Sequence, residues 1–201
     1  MLETLEFIDL YSFDPSTASE FGIPVLNCKG MILLFPFGAI EQQQHDHLET
    51  IDSDVKFVRQ TIENSCCMMA LLHILLNNPS ELLNYHQDLP KTIQTLLEST
   101  DSSLLEEIVE TSAELKEIHE EMAGEGETDQ PTDLENVLYH FVAIIPTDNS
   151  ECAWLLDGMQ SGPVKFKNDS LNFFELACKI ASEEFVQKST DQTNFSAVIL
   201  I

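Results

Sequence analysis

Arg59-Gln60-Thr61-Ile62-Glu63-Asn64-Ser65-Cys66-Cys67-Met68-Met69-Ala70-Leu71-Leu72-His73 begins polar and turns apolar at Cys66. Asn64 or Ser65 is placed to cap a helix whose first turn contains Cys66, and the pattern predicts that helix over 64–77. A helix N-terminus offers unpaired N–H groups and partial positive charge, both of which favour thiolate over thiol. Taken alone, the same residues also fit an inert small hydrophobe in a buried helix. His73 stands two turns on, about 10 Å along the axis from Cys66, and reads as a packed core histidine.

Two pieces downstream bear on that thiol. Tyr139-His140-Phe141-Val142-Ala143-Ile144 embeds a histidine in an aromatic and β-branched run; a lone His there is ordinarily a satisfied core residue. Trp154-Leu155-Leu156-Asp157-Gly158 closes a second run with an acid, and Asp-Gly is also ordinary turn chemistry. Thr147-Asp148-Asn149-Ser150 between them is rich in turn formers, so 137–156 is predicted to be an antiparallel hairpin. Asp157 then comes within reach of His140 across it. A Cys nucleophile, a His base and an Asp that orients the imidazole are what an activated thiol requires.

Further out, residues 7–11, 31–35 and 195–200 are short apolar runs bounded by Gly, Pro, Asn or Asp and read as strands. Helices are expected over 79–86, 90–98, 103–122 and 171–187, with Ser170 as an N-cap and a capping box from Ser103 to Glu106. Leu104, Ile108, Leu115, Ile118 and Met122 mark the apolar face of the 103–122 helix. Residues 123–136, rich in Gly, acid and Pro, read as a loop. Strands and helices are interspersed throughout, so one mixed α+β domain over 1–201 is expected, with a mainly antiparallel central sheet flanked by helices.

The 201 residues carry 9 Lys+Arg against 35 Asp+Glu, a formal charge of −26, and Arg59 is the single arginine. Such a molecule repels polyanions and lacks bidentate phosphate readers, which excludes nucleic acid and anionic membrane as natural partners and favours a basic one. Residues 98–135 concentrate fourteen acids against Lys116 alone. The apolar stretches 31–37 and 66–76 fall short of the roughly 20 residues that span a bilayer. The acidic N-terminus resembles neither a secretory signal nor a transit peptide, and the five scattered cysteines suggest reduced thiols. A cytoplasmic, or alternatively nuclear, location is expected. His45 and His47 flanking Asp46 read as a surface loop, with no metal, and no phosphate-binding glycine motif appears, so no cofactor is expected.

Gln60-Thr61-Ile62-x-Asn64-Ser65-Cys66, Leu72-His73, Asn77-Asn78, Ala123-Gly124-Glu125-Gly126-Glu127, His140-Phe141 and Leu156-Asp157-Gly158 together resemble the ubiquitin C-terminal hydrolases of the papain-like thiol protease class, from about residue 6 to the end. The resemblance implies the papain-like fold and a monomer; the family's threaded, knotted topology depends in part on the leading strand and helix that precede the equivalent of Phe7 in the family, and is not carried over. It implies Cys66 as nucleophile, His140 as general base and later acid, Asp157 as orienting group and Gln60 as oxyanion donor. It further implies hydrolysis of small adducts or peptides from the C-terminal glycine of ubiquitin or a ubiquitin-like protein, through a Cys66 thioester and without a cofactor.

Ubiquitin's basic tail would suit the acidic charge, and solubility alone is the other account of it. Cys67 stands where the family usually has Gly. The family's leading strand and helix are missing before Phe7, so the sheet is expected to leave an unpaired edge beside 195–200. The loop 123–136 is expected to arch over the cleft as a filter against folded leaving groups. Two other functions fit parts of the sequence: a non-catalytic or weakly active ubiquitin-binding module, and an acidic interaction protein for basic partners.

Overall fold

The described residues form the strands β1 (Phe7–Leu10), β2 (Gly30–Pro36), β3 (Tyr139–Pro146), β4 (Cys152–Leu156), β5 (Val164–Lys167) and β6 (Ser196–Leu200). All pair antiparallel in one sheet of order β1-β6-β2-β3-β4-β5. The computed structural model describes residues 5–38, 55–82, 89–125, 139–147, 152–167, 170–190 and 192–201. The hairpin read from 137–156 is β3 and β4, paired with Ala143 opposite Leu156. β6 lies between β1 and β2 and is no edge, contrary to the expectation of an unpaired strand there. β5 was not foreseen; it is short and carries Lys165, whose Nζ lies 4.9 Å from the centroid of the Trp154 ring on β4.

Side chains alternate between the two faces of the sheet, and both faces are covered. Met31, Leu33, Val142 and Ile144 pack on one side with Phe174, Ala177 and Ile180 of α7 (Phe173–Ile180). Ile32, Ala143, Ile145 and Leu156 pack on the other with Ala70 and Ile74 of α2 (Cys66–Leu76). The far side of α2 meets a helical layer in which Met69, Leu72 and Leu76 contact Leu96 of α4 (Lys91–Glu98), Leu105 and Val109 of α5 (Ser102–Thr111) and Leu115 of α6 (Ala113–Glu125). Enclosure on both sides explains why α2 is apolar nearly all round. Gly30 lets it come close: a Cβ there would lie 3.0 Å from Ile74 Cδ1.

Local chemistry moved three boundaries. The helix expected over 103–122 breaks at Ser112, whose backbone turns extended and whose Oγ accepts from Leu115 N at 3.1 Å, starting α6 afresh. The break buries Leu105, Val109 and Leu115 while Leu104, Ile118 and Met122 are exposed. The cap of α5 is Asp101, which accepts from Ser103 N and Leu104 N, in place of a Ser103–Glu106 box. α7 starts from Asn172, whose side chain and that of Glu175 form the reciprocal capping box; Ser170 has φ +83° and lies outside the helix. α7 continues as a π-turn over Ala181–Val186.

α6 extends to Glu125, into the segment read as a loop, and residues 126–136 of that segment lie outside the described residues. So do His45, Asp46 and His47. The short helices α1 (Pro15–Glu20, capped by Asp14) and α3 (Pro79–Leu82) and a 3-10 turn over Val25–Asn27 complete the set described. Among the described residues no helix is long and apolar enough to cross a membrane.

Candidate active site

Cys66 is the first residue of α2. The turn before it is unusual: Asn64 has φ +56°, and the Ser65 hydroxyl donates to Ile62 O at 2.8 Å instead of capping the helix. The first-turn N–H groups beside the Cys66 sulfur therefore keep their positive end free of a capping side chain. Burial pushes the Cys66 thiol up, but hydrogen bonding to His140, the Phe141 backbone, the His140 charge and the Cys67 backbone outweigh it, and its pKa is lowered overall. Burial and the charge on Cys66 raise Cys67, and burial pushes Cys28 and Cys178 up to about 12.

His140 lies opposite Phe35 in the β2–β3 register. Asp157 follows β4 directly, so the pairing of Ala143 with Leu156 brings its carboxylate diagonally across the hairpin. His140 Nε2 and Asp157 Oδ1 are 2.7 Å apart, and the same oxygen accepts from Met159 N at 2.9 Å. The reach expected from sequence is realised. Burial pushes the His140 imidazole down, but its hydrogen bonds to Asp157 and Cys66 and the charges on both raise its pKa to about 9. A lowered thiol beside a raised imidazole favours the thiolate–imidazolium pair near neutral pH. Phe35 meets the ring edge-on at 5.5 Å, Phe37 lies at 5.7 Å, and Phe185 of the π-turn supports Phe35 at 4.9 Å. This aromatic cage went unread because a π-turn places Phe185, which helical periodicity does not anticipate.

Gln60 meets the Asp157 turn from the other side. Its N–H donates to Gly158 O at 2.8 Å, and a Cβ at Gly158 would come within 3.1 Å of Gln60 Cβ, so only glycine lets the two backbones approach this closely. Gln60 Oε1 is buried without a hydrogen-bond partner among the described residues. Cys66, His140 and Gln60 line one pocket of about 280 Å³, rimmed by Phe37, Tyr139 and Met159. All four residues singled out from sequence thus converge: three line the pocket and Asp157 holds the imidazole from behind.

His73 is fully buried, stacks on Phe57 at 5.2 Å and lies 2.9 Å from Val58 O, in keeping with a core role. Among the described residues no group of three or more His, Cys, Asp or Glu could hold a metal ion.

The family model described as "Ubiquitin carboxyl-terminal hydrolase, family 1" matches residues 1–186. A ubiquitin carboxyl-terminal hydrolase of Drosophila melanogaster is 27% identical over 183 residues, 86% of this chain and 77% of that protein. One from Aplysia californica is 28% identical over 173 residues, 84% of this chain and 77% of its own. The catalytic domain of Trichinella spiralis UCH37, solved bound to ubiquitin vinyl methyl ester, superposes with a TM-score of 0.66 at 21% identity, over 98% of this chain and 84% of that one.

Proposed function

The chain belongs to family 1 of the ubiquitin carboxyl-terminal hydrolases, and from that membership and the site geometry we propose that it is a cofactor-free thiol hydrolase that cleaves small adducts and peptides from the C-terminal glycine of ubiquitin or a ubiquitin-like protein. The observation that carries the reading is the imidazole of His140, held by Asp157 at 2.7 Å and lining one pocket with Gln60 and with Cys66 at the N-terminus of α2.

The Cys66 thiolate attacks the glycine carbonyl carbon, and the carbonyl oxygen becomes an oxyanion. The Gln60 side-chain amide and the Cys66 backbone N–H donate to it. The His140 imidazolium gives its proton to the leaving amine as the C–N bond breaks, leaving a Cys66 thioester and a neutral imidazole. That imidazole takes a proton from water, whose oxygen attacks the thioester; the C–S bond breaks, the thiolate departs, the imidazolium is restored, and the carboxylic acid formed loses its remaining proton to solvent. Asp157 holds one ring nitrogen throughout, so the other faces sulfur and substrate. The net acidic surface suits a substrate with a basic tail. The enzyme acts as a monomer in this reading.

Hydrolysis of a ubiquitin C-terminal amide reporter tests the assignment. Cys66→Ala and His140→Ala should each abolish turnover above background, and a His140→Ala variant as active as the parent would remove His140 from the site.

A further inference from the structure

Gln60 belongs to a segment, 55–60, that lies in no sheet, yet its backbone is hydrogen-bonded at Lys56, Val58 and Gln60. The Asn77 carboxamide brackets Lys56: Oδ1 accepts from Lys56 N at 2.8 Å, and Nδ2 donates to Lys56 O at 2.8 Å. Two residues on, His73 Nε2 lies 3.2 Å from Val58 N and 2.9 Å from Val58 O, bonding one or the other according to its tautomer. In an extended chain residues 56 and 58 face the same way. His73 and Asn77 are four apart on a helix and also share a face. A side chain of α2 and that of its C-cap residue Asn77 thus stand in for a neighbouring strand. Asn77 Nδ2 further donates to His73 O at 2.7 Å, tying the two clamps together.

Cys66, His73 and Asn77 are spaced by seven and then four residues, so at 3.6 residues per turn they fall on one stripe of the helix. The helix that presents the nucleophile therefore also grips the segment that ends in Gln60. The Gln60 N–H bond to Gly158 O at 2.8 Å closes the frame on the Asp157 turn. The geometry points to His73 and Asn77 as positioning residues that set the Gln60 amide relative to the Cys66 sulfur. Neither lines the pocket with Cys66 and His140, so both act through the backbone of 56–60. The inference rests on Gln60 as oxyanion donor.

Alkylation of Cys66 by iodoacetamide forms no oxyanion, whereas acyl transfer does, and this separates positioning from general structure. Asn77→Ala should lower kcat on the amide reporter by about 10-fold or more, since small misplacement of a donor is costly, with KM and the alkylation rate within about twofold of the parent. In a Gln60→Ala background Asn77→Ala should cost little more. His73→Gln, which keeps a donor toward Val58, should retain more kcat than His73→Phe, which keeps only the ring; this pair carries the test should Asn77→Ala fail to fold. Parallel losses in kcat and alkylation, a multiplicative loss on Gln60→Ala, or equal kcat for the two His73 variants would overturn the positioning role. An unchanged kcat in Gln60→Ala alone would instead remove the oxyanion assignment on which it stands.

Discussion

Cys66 and Cys67 are neighbours in the chain whose thiols are driven in opposite directions by what surrounds them: His140 lowers the first, and burial with the charge on Cys66 raises the second. Brief iodoacetamide treatment near neutral pH followed by peptide mapping should therefore find Cys66 alkylated first; preferential modification of Cys67 would contradict the arrangement. His140 is raised to about 9 chiefly by its Asp157 hydrogen bond against the cost of burial. A raised imidazole keeps its proton below that value and loses it above, so turnover should fall as pH rises through about 9. Asp157→Asn should move that basic limb to lower pH and lower kcat less than Cys66→Ala or His140→Ala, because the acid orients the ring without joining the bond changes. His73 has the opposite sign. Burial lowers it from 6.5 to about 4, against smaller opposing effects of Val58 and the Asp157 charge. The unfolded chain then takes up a proton that the folded chain refuses, so stability is complete above pH 6.5 and is lost as pH falls towards 4, by about 3 kcal/mol for that shift. Denaturant titrations of the parent and His73→Phe across this range should show a shallower acid loss in the variant.

Secondary-structure elements were legible in the sequence where one local rule decided them. Five strands appear as turn-bounded apolar runs, and the order Cys66, His140, Asp157 with a predicted hairpin sufficed to bring the acid to the imidazole. Elements decided by tertiary partners were not. Ser112 fits a helical period as well as its neighbours, and only its cap on Leu115 shows the break between α5 and α6. β5 alternates with two lysines in four residues and so does not announce itself as an apolar run; it is held by pairing with β4 and by Lys165 over Trp154. Segment 55–60 is no strand: its backbone bonds to the side chains of His73 and Asn77 and to Gly158 O, partners that no local pattern announces. The packing of α2 on β2 is equally specific: a Cβ at Gly30 would stand 3.0 Å from Ile74, itself fully buried. Gly30→Ala should lower stability by about 1–3 kcal/mol, the usual cost of overpacking a core, and a melting temperature equal to the parent's would show that α2 can retreat from the sheet.

Over the whole molecule, three layers separate two tasks. The sheet with α7 behind it carries His140 and its aromatic support, while α2 and the helices beyond it carry the thiol and the Gln60 segment; the pocket opens where they meet. The formal charge of −26 surrounds both. Long-range attraction to a basic tail is screened within about 8–10 Å at moderate salt, so KM for a ubiquitin substrate should rise with ionic strength while kcat changes little, and a salt-independent KM would assign the acidity to solubility. The central claim is that this pocket presents Cys66 to the C-terminal carbonyl of ubiquitin. Incubation with a ubiquitin C-terminal electrophile, followed by intact-mass measurement and peptide mapping, tests it most directly. A one-to-one adduct on Cys66, absent in Cys66→Ala and slowed in His140→Ala, is the predicted result; an adduct on another cysteine, or none at all with the folded chain, would contradict it.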